Sequence, residues 1–141
     1  MTDRETLMAY RFREAEETLD DAVKMLEAKT SPRSVVNRAY YSMFYGVLGL
    51  FNRFETEHRT SRHSTVIAIF DREFVRTGII DPRYSRMLHR LFDARQIADY
   101  KDLIEPSEED AVKAVEQARE FLITIRNCSV SSNGESGAPP L

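Results

Sequence analysis

Tryptophan is absent from the sequence, cysteine occurs once, and glycine and proline occur five times each. A single cysteine, Cys128, excludes an intrachain disulfide, and its polar neighbourhood offers no companion ligands for a metal. A reducing cytoplasm suits such a chain, and no metal or other cofactor is expected. No apolar run approaches the roughly 18 residues that a membrane-spanning helix needs, and the N-terminal "MTDRETLMAY" is charged where a signal peptide would be apolar. Neither membrane insertion nor export is expected. Segments that alternate apolar and polar at period two are also missing, which argues against half-buried strands.

What is present is helix-forming and unevenly charged. The chain has 141 residues, 42% of them hydrophobic, enough for one domain with a core. Its net charge of −3 excludes a globally basic nucleic-acid binder. That average hides a basic middle: residues 33–95 carry eleven basic and six acidic side chains, whereas 1–32 and 96–141 are both acidic. Sixteen of the 20 basic residues are arginine. This bias suits planar, bidentate contacts to phosphate or carboxylate, or it reflects no more than codon preference.

Capping signals divide the chain into five helices. Thr2 with Glu5 and Ser107 with Asp110 form capping-box patterns, and Ser31–Pro32 and Asp81–Pro82 read as starts with proline in the first turn. Helices are expected over about 3–29, 32–54, 62–77, 82–101 and 107–126, with Gly78 closing the third. Short connections favour an all-α, up-and-down antiparallel bundle, the fifth helix packing alongside or capping the other four. The domain is expected to span 1–126, and the tail 127–141, "NCSVSSNGESGAPPL", to be too polar to order itself.

Helix 5 carries a plain apolar seam of Ala111, Val115, Ala118, Leu122 and Ile125. Helix 2 is apolar around most of its circumference. Val36, Ala39, Tyr40, Met43, Val47, Leu50 and Phe51 form one face, Tyr41, Phe44 and Leu48 a flank, and Ser42, Gly46 and Gly49 a small-residue side open to a close-packed backbone. Either it is the central helix of the monomer, or some of its neighbours belong to a second copy of the chain. On helix 4, Arg95 falls within the face made by Tyr84, Met87, Leu88, Leu91 and Ala98. A guanidinium there needs a partner. Asp99, one turn on, would make a structural ion pair; alternatively the side chain opens into a pocket and binds an anion such as phosphate. Asn37 and Arg38 add polar groups that could reach the same region.

Three ordered segments, "SVVNRAYYSMFYGVLGLF", "RHSTVIAIFDREFVRTG" and "LFDARQIADY", resemble the HEPN domain, in particular its small stand-alone UPF0332-like branch, over about residues 9–125. The resemblance implies an all-α bundle that commonly forms homodimers, and a recurrent partnership with a minimal nucleotidyltransferase in toxin–antitoxin-like pairs. Many HEPN domains are metal-independent endoribonucleases. Their motif is an Arg followed, after four to six residues, by a His, both copies meeting at the dimer interface. Arg95 matches the arginine, but the positions allowed for the histidine hold Tyr100, Lys101 and Asp102. A phenol with an ordinary pKa of about 10 is a poor base at neutral pH.

Arg53 with His58 and Arg83 with His89 satisfy the spacing, but away from the position of the motif, and about one such pair is expected by chance. His63 opens helix 3, where it either faces a cleft or bonds a local backbone group. The expected site is a pocket of Arg95, Asp99, Asn37, Arg38, His63 and Tyr100 that binds RNA or a nucleotide, with Arg95 and Tyr100 as the only catalytic candidates. A working ribonuclease and a structural adaptor for a nucleotidyltransferase are the alternatives.

Overall fold

The computed structural model describes residues 1–59, 62–100 and 105–128, without the side chains of 96–100. The segment 129–141, most of the tail read from the sequence, lies outside the described residues. Five α-helices follow one another: α1 (Asp3–Glu27), α2 (Pro32–Phe54), α3 (His63–Phe70), α4 (Pro82–Tyr100) and α5 (Glu108–Asn127). The fold is all-α, as expected.

The helix starts are set by the residues that announced them. Thr2 and Glu5 bond reciprocally to each other's backbone N–H groups, and Ser107 and Asp110 repeat that box at α5. The Ser31 hydroxyl accepts the Ser34 N–H ahead of Pro32, and the Asp81 carboxylate accepts the Arg83 N–H at the head of α4. Each contact satisfies a donor that the first helical turn leaves without an intrahelical partner.

The long helices α1, α2, α4 and α5 form the up-and-down bundle. Arg4 at the start of α1 donates to the carbonyls of Asn52 and Arg53 at the end of α2, and Lys29 just past α1 pairs with Glu108 at the start of α5. Tyr84 near the start of α4 meets Glu120 and Phe121 near the end of α5. The additional helix is the short α3, which begins beside Tyr40 and Phe44 and runs toward the end of α2. Helix 3 is also less regular than expected. After Phe70 it widens into a π-helical turn over Asp71–Val75. The Asp71 carboxylate there accepts the Ser85 hydroxyl at 2.6 Å and contacts His89 Nε2 at 2.6 Å, tying the turn to α4.

The core bears on the question raised by α2. Thirteen of its residues, including Tyr40, Met43, Phe44, Leu50 and Phe51, are buried within a single chain. Its small side faces side chains from two neighbours: a Cβ on Gly46 would come within 2.6 Å of a Leu122 methyl, and one on Gly49 within 3.0 Å of the Phe12 ring. The close approach expected from another backbone is made instead by a leucine of α5 and a phenylalanine of α1. Since the chain covers α2 itself, that helix's apolar surface does not require a second copy.

At the C-terminal end, α5 runs to Asn127. Arg53 Nη1 donates to the carbonyls of Arg126 and Cys128 at 2.8 and 2.7 Å, and its guanidinium lies 5.1 Å from the Phe12 ring centre. Residues 127 and 128, assigned to the tail from their composition, are therefore held to the bundle, because a cation supplies donors to the open carbonyls of the last turn. Burial pushes the Cys128 thiol up from its ordinary range, against the opposing charge of Arg53. Arg53→Ala is expected to cost about 1–3 kcal/mol of unfolding free energy, the scale of charged hydrogen bonds. Urea denaturation measures it, and an unchanged midpoint would show that the last turn holds without this cap.

Candidate functional site

The apolar face of α4 buries Tyr84, Met87, Leu88 and Leu91, and Arg95 follows one turn later as a half-buried side chain. Its guanidinium carbon lies 5.2 Å from the Tyr40 ring centre, 5.6 Å from Tyr41 and 5.8 Å from Phe92, and Nη1 approaches the Tyr41 hydroxyl at 3.5 Å. Three ring faces thus accommodate the charge where an aliphatic side chain would otherwise sit, each such contact worth about 0.5–2 kcal/mol. This answers in part why an arginine is tolerated on that face. The expected ion pair with Asp99, and any role of Tyr100, involve side chains outside the described residues, as are residues 101–104.

The aromatic wall comes from α2. Tyr40 and Phe44 are one helical turn apart, as are Tyr41 and Tyr45, so the run "YYSMFY" lays two parallel pairs of rings along one side of the helix. Sequence reasoning assigned Tyr40, Tyr41 and Phe44 to packing. Their clustering beside a basic segment was the signal that could have promoted them to the site. Tyr41 also carries a second cation, since the Arg38 guanidinium lies 5.1 Å from its ring centre. Arg38 Nη2 donates to Asn37 Oδ1 at 3.2 Å, and both residues line a depression of about 310 Å³ with Met25, Arg33 and Ser34. Arg38 therefore joins the cluster through Tyr41, and Asn37 stands behind it.

His63 enters from α3. Its Nδ1 and the Tyr40 hydroxyl are 2.8 Å apart, its ring stacks on Phe44 with centres 4.0 Å apart, and the Tyr41 ring meets it edge-on at 5.4 Å. Neither earlier reading anticipated this bond: His63 contacts a side chain 23 residues away. Burial first, and the nearby charge of Arg95 second, lower the pKa of His63. Burial pushes the fully buried Tyr40 phenol up, with Arg95 opposing, so it stays protonated.

The sign of the resulting pH dependence follows. Folding holds His63 below its ordinary value of 6.5, so the unfolded chain takes up this proton more readily. Stability from this group is complete above that value and is lost as the pH falls through it toward the folded value. Thermal melts in a pH series should show the loss, and His63→Asn should flatten that part of the profile. A profile identical in the variant would assign the acid sensitivity to other groups.

The remaining histidines belong to other contacts. His58 packs on Phe51, and His89 is bound to Asp71. Arg83 is held by the Tyr84 hydroxyl and Glu120. The two pairs that satisfied the motif spacing by chance are thus engaged elsewhere. Among the described residues, no helix is long and apolar enough to cross a membrane.

The HEPN domain family model matches residues 8–128, the whole bundle from early in α1 to the Arg53-held end of α5. The chain belongs to the HEPN domain family. A UPF0332 protein of Thermotoga maritima is 38% identical over 125 residues, covering 89% of this chain and 92% of that one. A protein of Methanocaldococcus jannaschii named "Putative toxin" is 31% identical over 134 residues, 90% of each chain, and a second protein of that name from the same organism is 32% identical over 112 residues, covering 79% and 81%. Within this HEPN bundle Arg95 and His63, from different helices, meet on the same two rings, Tyr40 and Tyr41.

Proposed function

We propose that this HEPN protein is the toxin-like member of a two-component pair and that the cluster around Arg95 binds the phosphate of RNA or of a nucleotide. The observation that carries the reading is the stacking of a half-buried guanidinium on Tyr40, Tyr41 and Phe92. Aromatic faces orient the planar guanidinium, whose fork geometry matches phosphate oxygens. Arg38, on the same Tyr41 ring, extends the positive surface, and His63 adds a polar edge. The relatives named as toxins support the toxin-like role. The HEPN resemblance supplies a homodimer and a minimal nucleotidyltransferase as the partners, and the single cysteine fits action in the cytoplasm.

The direct test is titration of a labelled single-stranded RNA with the protein, in EDTA and across a salt series, followed by fluorescence anisotropy. Binding that weakens in Arg95→Ala with no more than a modest fall in melting temperature supports the reading. Equal binding by wild type and variant would move the function away from this cluster and toward a purely structural adaptor.

A further inference from the structure

We infer that a hollow between α2, α4 and α5, separate from the Arg95 cluster, is a binding site for a small monocarboxylic acid with an apolar body.

The hollow has a volume of about 300 Å³. That is the size at which small-molecule sites begin, and spaces between the helices of a bundle are among the places where they recur. Its inner surface is apolar: Val36 from α2, Leu91 and Ala94 from α4, Pro106 ahead of α5, and Ala114 from α5. Val36, Leu91 and Ala114 are buried, so these walls are part of the core. Ala94 and Ala114 contribute only methyl groups from the two helices that flank the space, which leaves it unfilled where longer side chains would have closed it.

Charged groups are confined to the rim, and their order along it selects the charge of the ligand. Arg90, Lys113, Glu105 and Asp110 are all exposed, and Gln117 is half-buried. Because Tyr84 near the start of α4 meets Phe121 near the end of α5, the two helices run in opposite directions. Arg90 therefore lies toward the Gln117 end of the hollow, and Glu105 and Asp110 toward the other. Asp110 already has a task, since its carboxylate accepts the Ser107 N–H at 2.9 Å in the capping box. Among the described residues Arg90 and Lys113 are drawn into no ion pair. A guanidinium, an amide and an ammonium beside an apolar wall match a single carboxylate, which each can meet with an N–H donor. The acidic pair at the far end repels a second negative charge, and so disfavours phosphate esters and polyanions. The apolar walls receive the rest of the molecule and supply the hydrophobic part of its affinity. A packing gap alone would account for the hollow, but not for two uncommitted cations and an amide on its rim.

The experiment is calorimetric titration of the full chain with octanoate and with phenylbutyrate, an aliphatic and an aryl acid, using octanol and octylamine as head-group controls. Both acids should bind, and octanoate should bind about tenfold more tightly than either control, the factor that one charge-assisted hydrogen bond supplies. Methyl NMR should locate octanoate through shifts at Val36, Leu91, Ala94 and Ala114. Ala94→Leu, which fills the hollow, should abolish binding. Arg90→Gln, a change at an exposed side chain, should weaken octanoate about tenfold and remove most of its advantage over octanol. Should Ala94→Leu fail to fold, Arg90→Gln and the head-group series still decide the matter. Binding of neither acid, equal binding of octanoate and octylamine, or undiminished octanoate binding by Arg90→Gln or by folded Ala94→Leu would overturn the inference. These outcomes leave the reading of Arg95 untouched, because it stands on other residues and on its own RNA titration.

Discussion

Phe74→Ala is expected to lower the unfolding free energy by about 3–5 kcal/mol, the range for removing a large aromatic side chain from a packed core. Phe74 is 1% exposed, and its ring lies 6.0 Å from Phe51, 6.1 Å from Phe70 and 5.1 Å from Phe54, centre to centre. It joins the π-helical turn to the end of α2 through Phe51 and Phe54, and to the end of α3 through Phe70. The cavity left by alanine has little freedom to close. The turn is tied to α4 by Asp71 with Ser85 and His89, and the Phe74 carbonyl accepts the Ile80 N–H at 2.9 Å. Phe54→Ala supplies a contrast, because that side chain is only half-buried and should cost less. Urea denaturation of both variants tests the argument. A loss below about 1 kcal/mol in Phe74→Ala would mean that the neighbouring rings collapse into the space and that the turn is softer than its ties imply.

The π-helical turn also shows where the sequence stops informing. Helix starts were legible because a cap is a local contract: Thr2 with Glu5, or Ser107 with Asp110, places donor and acceptor three residues apart whatever the rest of the chain does. The seam of α5 was legible for the same reason, and Ala111, Val115, Ala118, Leu122 and Ile125 are all buried. By contrast, α and π windings place Phe70 and Phe74 on nearly the same side over so few residues, so the apolar pattern could not distinguish them. For α2, composition showed how much surface must be covered but not whose atoms cover it, and Leu122 and Phe12 of the same chain do so. The site divides similarly. Arg95 stood out as a charge on an apolar face, a property of one helix. The bond between Tyr40 and His63 joins two helices, and no spacing along either announces it.

Arg95→Ala should weaken RNA binding by about 1.5–3 kcal/mol, the range for a charge-assisted hydrogen bond, or roughly tenfold to more than a hundredfold in Kd. The same change removes a guanidinium from three ring faces, so a modest loss of stability accompanies it. A lysine control separates charge from shape. Arg95→Lys keeps the charge but loses the flat fork that lies over Tyr40 and Tyr41, and should recover only part of the affinity. The competing account makes Arg95 the structural partner of Asp99. In that case Arg95→Ala lowers the melting temperature markedly, Asp99→Asn reproduces much of the loss, and RNA binding by the folded fraction is unaffected. Anisotropy and thermal melts on the three variants therefore give opposite patterns for the two accounts. If Lys matches Arg in affinity, a point charge suffices and the aromatic wall serves packing alone. If Lys falls between Arg and Ala, the rings of α2 set the geometry of the anion site.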